Sequence, residues 1–148
     1  MNDIAGNIAA IHETITKTCA AFDCNPSLVN LIAVSKKQEE SRIEAALTAG
    51  QRVFGENRVQ EAQERWGARR ETYDDLILHL IGPLQTNKVK DAVALFDVIH
   101  TLDREKLARK LADEMQTQGR DLPCFIQVNT GLEDQKSGIV PDAVPDFI

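Results

Sequence analysis

The chain has 148 residues, a net charge of −6 and a pI near 5.1, with 43% hydrophobic and 27% charged residues. That length suits one domain with its own packed core. The acidic balance argues against a nucleic-acid backbone or an anionic membrane surface as the main partner, although a few local cations can still hold one small phosphate. No apolar run approaches the ~18 residues of a membrane span, and the first residues lack the basic patch and apolar stretch of a secretory signal. Three cysteines (Cys19, Cys24, Cys124) are an odd number without metal-ligand spacing, so a reduced, cytoplasmic setting without a metal site is expected.

In chain order, Ile4, Ile8, Ile11 and Ile15 share one face of an amphipathic first helix. Asn25-Pro26-Ser27 breaks it. A repeating unit then begins. Leu31 to Val34 is a short apolar strand, followed by a helix around Ile43, Ala46 and Leu47 that ends at Gly50. Arg52 to Gly55 opens the second unit, whose helix carries Val59, Ala62 and Trp66. Leu76 to Ile81 is the third strand, with a helix from about Asn87 to Leu95. Asp97 to Leu102 is the fourth, and Asp103 is placed to cap a helix that buries Leu107, Leu111 and Met115 and ends at Gly119. Cys124 to Val128 is the fifth strand, and a polar loop, Asn129 to Gly138, follows it.

Strands alternating with helices indicate βαβ units and a parallel sheet, either an open doubly wound sheet or a (β/α) barrel. A complete eight-strand barrel needs ~200 residues or more, so a barrel here reads as truncated after about five strands. The last residues, with Pro145 near the start of a helix, agree with a single domain over 1–148 that is incomplete at its C-terminus.

Ligands of parallel α/β folds bind where the strands end and the βα loops begin. Lys36 follows the first strand, and alternation puts it on the face of Ile32 and Val34. From an apolar base in a barrel mouth, a desolvated amine would attack an aldehyde readily; the plain alternative is a solvated lysine. Asn57 ends the second strand, either to bond a ligand or to cap the next helix. His79 lies within the third strand and His100 ends the fourth, and taken alone each reads first as a satisfied core histidine. Gly82-Pro83-Leu84-Gln85-Thr86-Asn87-Lys88 is a strand-to-helix loop in which Thr86 or Asn87 can cap the helix. Lys136-Ser137-Gly138 offers another cation. No nucleotide-binding glycine loop, nucleophile elbow or zinc motif occurs.

Four segments match one known family in order and spacing: Leu31-Ile32-Ala33-Val34-Ser35-Lys36, Phe54-Gly55-Glu56-Asn57-Arg58-Val59-Gln60-Glu61, His79 through Lys88, and Lys136-Ser137-Gly138-Ile139. The chain resembles the pyridoxal phosphate homeostasis proteins, relatives of the N-terminal barrel of alanine racemase. The resemblance implies a (β/α)8 barrel that binds pyridoxal 5'-phosphate (PLP) as a Schiff base on Lys36. It also implies that Asn57 lies near the cofactor and that His79 and the 82–88 loop shape the site. The implied role is buffering or delivery of PLP, with PLP-requiring apo-enzymes as recipients and no established catalytic reaction. The family's phosphate-binding serine and its arginine-bearing Arg-Ile-Gly-Thr-type segment fall beyond Ile148.

Two other readings compete. A racemase of the alanine-racemase type needs a tyrosine acid/base from a second domain, and Tyr73, the one tyrosine, sits in a helix-to-strand connection. A Schiff-base aldolase would also use a strand lysine, with a sugar aldehyde in place of PLP.

Overall fold

The computed structural model describes residues 3–148. Five strands, β1 (Ala33–Val34), β2 (Val53–Glu56), β3 (Ile77–Leu80), β4 (Val98–Leu102) and β5 (Cys124–Ile126), lie side by side in chain order. Every pairing is parallel. A doubly wound sheet reverses its strand order at a switch point, whereas a barrel wall adds each strand beside the last. The observed order is therefore that of a barrel wall. A parallel bridge between Val128 and Ile139 extends the wall beyond β5.

The helices are α1 (Ile4–Ala21), α2 (Glu40–Thr48), α3 (Val59–Trp66), α4 (Arg69–Thr72), α5 (Val89–Leu95), α6 (Glu105–Gln118) and α7 (Val144–Phe147). Strand alternation sends Phe54, Leu78, Leu80 and Ile99 toward these helices, where each is at most 2% exposed. They meet Leu47, Ala62, Trp66, Val89, Val93, Leu107 and Leu111 in one core. Phe54 and Trp66 pack with ring centroids 4.5 Å apart. Burying each large side chain contributes about 1.5–3 kcal/mol.

The other face of the sheet is the concave interior of the barrel. There Val34, Ile77 and Phe125 are 46%, 41% and 56% exposed. Gly55 lies between the side chains of Ile32 and Ile81, and an added Cβ would stand 3.0 and 3.2 Å from them.

Several local expectations need correction. The covered stripe of α1 runs through half-buried Ile4, Ile8 and Ile15 to buried Cys19, while Ile11, at the edge of that stripe, is 44% exposed. Asp103 does not cap α6; the cap position is Arg104, and the Asp103 carboxylate instead accepts from the Arg104 guanidinium at 2.7 Å. Neither Thr86 nor Asn87 caps α5, which grows out of a 3₁₀ turn over Thr86–Lys88. Gly50 closes α2 as expected, at φ +90°, with Gln51 N donating to Ala46 O.

Candidate functional site

The C-terminal ends of the strands form one rim, and the expected site residues gather along it. Val34, Gly55, His79 and Val98 are register partners across β1 to β4. Two residues further along β1 and β2, on the same face, come Lys36 and Asn57. Lys36 heads a turn closed by Gln38 N donating to Ser35 O at 3.1 Å. It is exposed, so the apolar enclosure expected around its amine is not provided by this wall of the mouth. Hydrocarbon lies just below it, in Val34 and Ile32.

Asn57 does not cap α3, whose cap position is Arg58. Asn57 is half-buried at a bend, against the loop after β3. That approach depends on Gly82: a Cβ there would collide with Asn57 O and lie 2.7 Å from Asn57 C and Cα. Gly82 is held in place by Thr101 Oγ1 donating to its carbonyl at 2.8 Å, and by the neighbouring Ile81 N donating to Glu56 O at 2.9 Å. Asn57, Gln85 and Lys88 line a cleft of about 550 Å³ between the loops after β2 and β3. Arg104 ties the loop after β4 to the same region by donating to Leu84 O at 2.7 Å.

His79 is a half-buried residue of the interior face, and its Nδ1 lies 2.6 Å from His100 Nε2. One ring must donate and the other accept, so the bond holds in the neutral and the singly protonated pair and is lost only when both rings are charged. Burial lowers the pKa of both, and the neighbouring His100 lowers that of His79 further, against a weaker opposing pull from Asp97. The rings of His100 and Phe125 have centroids 4.9 Å apart. His79, His100 and Phe125 thus make a continuous planar-ring surface across β3, β4 and β5. Reading each histidine alone as a core residue misses this pairing, which needs the register of β3 against β4.

Lys136 is exposed in the loop after β5. Asn129 Nδ2 donates to Glu133 O at 2.8 Å, and Gln127 Nε2 to Ser137 O at 3.2 Å, which folds the 129–138 loop over the end of β5. Tyr73 lies elsewhere. Its ring packs under the Arg52 guanidinium, 4.9 Å from ring centroid to carbon. Arg52 precedes β2, so Tyr73 is at the opposite end of the strands from Lys36.

Glu56, which falls inside one of the matching segments but has no role assigned from the sequence, also lies at this rim. It is fully buried on the helix-facing side of β2 and accepts from Ser35, Arg65 and Trp66. The available signal was its place two residues after Phe54, on an apolar face where a carboxylate must find partners.

Residues 7–148 match the family model described as alanine racemase, N-terminal domain. The chain belongs to that family. As an alanine racemase N-terminal domain it is 40% identical over 140 residues to the pyridoxal phosphate homeostasis protein of Escherichia coli K12, covering 94% of this chain and 60% of that protein. It is 39% identical over 140 residues to the protein of the same name in Haemophilus influenzae, covering 95% and 59%. The chain therefore spans about 60% of the length of these curated relatives. Among solved structures, PipY of Synechococcus elongatus with PLP bound superposes with a TM-score of 0.77 at 36% identity, over 97% of this chain and 63% of that one. No described helix is long and apolar enough to cross a membrane, and no cluster of three or more metal-ligating side chains occurs among the described residues.

Proposed function

We propose that the protein binds PLP and takes part in its homeostasis, with Lys36 as the covalent anchor. The observation that carries the reading is the placement of a primary amine, Lys36, on one rim with Asn57 and above the His79–His100–Phe125 surface. The pieces suit PLP chemically. An amine meets an aldehyde, an aromatic and apolar floor meets a pyridine ring, and Asn57 offers both a donor and an acceptor to ring substituents. Lys88, beside Asn57 in the cleft, supplies a nearby cation for an anionic cofactor. PLP supplies an electrophilic aldehyde.

Lys36 Nζ would attack that carbon, the nitrogen giving up two hydrogens and the aldehyde its oxygen as one water, to leave a Schiff base. Asn57 and His79 would orient the ring, and the neutral histidine pair would place no positive charge beneath it. Tyr73 lies at the far end of the strands from Lys36, so it does not serve as the acid/base of the racemase alternative. Release to PLP-requiring apo-enzymes and a cytoplasmic setting complete the proposal. Both rest on the similarity to PLP homeostasis proteins, with which this chain shares about 60% of their length.

The test is borohydride reduction after adding PLP, with the labelled peptide identified by mass. Lys36 should carry the label, and Lys36→Ala should lose it together with the yellow absorbance. Equal labelling of Lys36→Ala, or trapping by a sugar aldehyde in preference to PLP, refutes the reading.

A further inference from the structure

The turn that presents Lys36 is held from behind. Glu56 is fully buried, on the opposite side of the barrel wall from the mouth, and its Oε1 takes three donors: Ser35 Oγ at 2.6 Å, Arg65 Nη1 at 2.7 Å and Trp66 Nε1 at 3.0 Å. Arg65, whose side chain is only 13% exposed, also donates from Nη1 to Ser35 O at 3.0 Å and from Nη2 to Gln38 O at 3.4 Å. Its Nε lies 3.6 Å from Glu40 Oε1. The residue before Lys36 and the one two places after it are thus both fastened to one guanidinium, and Ser35 is fastened a second time through its hydroxyl. Between these points Lys37 has φ +57°, a left-handed conformation that a lysine adopts only when its surroundings impose it.

This network is poorly designed for stability alone. Glu56 Oε2 is buried without a hydrogen-bond partner, and apolar residues of similar volume often replace a buried ion pair at no cost. Three of its ties, besides those to Trp66 and Glu40, fall instead on Ser35 and Gln38, the two residues that bracket Lys36 and Lys37. We propose that Glu56 and Arg65 are positioning residues that fix the Lys36 turn, so that the amine is held ready for the aldehyde without either residue touching the ligand. The inference rests on Lys36 being the anchor. It adds that this anchor is set by side chains of β2 and α3, through the wall of the barrel.

The test separates presenting the amine from holding the fold. The protein and the double variant E56Q/R65M, which removes both charges together and leaves no buried ion unpaired, are titrated with PLP and with pyridoxine 5'-phosphate. The latter has the same ring and phosphate but an alcohol in place of the aldehyde. The expected result is about a tenfold loss of affinity and a slower rise of the yellow absorbance for PLP, with the alcohol analogue bound as before. Ser35→Ala, a milder change that removes only the hydroxyl tie, should give about a threefold loss for PLP alone, and it decides the matter if the double variant does not fold. Equal losses for both ligands, or none for either, overturn the proposal. Undiminished PLP labelling of Lys36→Ala would instead show that the anchor itself was misassigned.

Discussion

Gly82→Ala adds one methyl group at the contact on which Asn57 depends. The new Cβ would overlap Asn57 O and stand 2.7 Å from Asn57 C and Cα, so the obstacle is backbone and has no side-chain rotation to absorb it. Neither partner is free to withdraw. Thr101 holds the Gly82 carbonyl at 2.8 Å, and Ile81 N is bonded to Glu56 O at 2.9 Å, next to Asn57 itself. Relief requires a shift of roughly an ångström in one of two pinned segments, at an overpacking cost of about 2–3 kcal/mol. For a chain of this length that is a fall in Tm of roughly 4–12 °C. The displaced loop carries Asn57 and the Gln85–Lys88 cleft with it, so PLP affinity should drop in the same variant. Gly50→Ala is the matched control. Gly50 has φ +90° and open space around its Cβ position, so its cost is backbone strain of about 1 kcal/mol with PLP binding retained. Thermal denaturation and a PLP titration of both variants check this. Wild-type stability and affinity in Gly82→Ala would refute the close-contact argument.

Stability should fall as pH drops from about 7 toward 5, because His79 and His100 have native pKa values below the ordinary 6.5. The unfolded chain takes up protons in that window and the native chain does not. Tm measured across it should slope downward toward acid, and H79Q/H100Q should flatten the slope; the acid-side contributions of Glu40 and Glu105, whose pKa values are lowered by Arg69 and Arg109, enter only below about pH 4.5. Leu78→Ala, at a fully buried position of the helix-facing core, should cost about 2–5 kcal/mol in urea denaturation. Val34→Ala, nearly half exposed on the interior face, should stay within about 1 kcal/mol of wild type by the same measurement.

The order of strands and helices was legible because each buried strand is a short apolar run and each helix carries a stripe with a turn of 3.6 residues. The same alternation put Lys36 on the face of Ile32 and Val34, and the ordered motifs associated it with Asn57 and His79. Cap assignments failed at Asp103, Asn57, Thr86 and Asn87: the Asp103 carboxylate is taken by the adjacent Arg104, α3 begins one residue after Asn57 with Arg58 at its cap position, and Thr86 and Asn87 lie inside the 3₁₀ turn that leads into α5. The choice between doubly wound sheet and barrel wall was also open, because it depends on which strand lies beside which. Local patterns in the chain thus determined the elements, their faces and the candidate lysine. Tertiary structure alone decided the pairing of His79 with His100, the exposure of Lys36, and the fastening of its turn to Glu56 and Arg65. Those contacts join residues roughly 20 to 30 positions apart, and they exist only once parallel strands are in register.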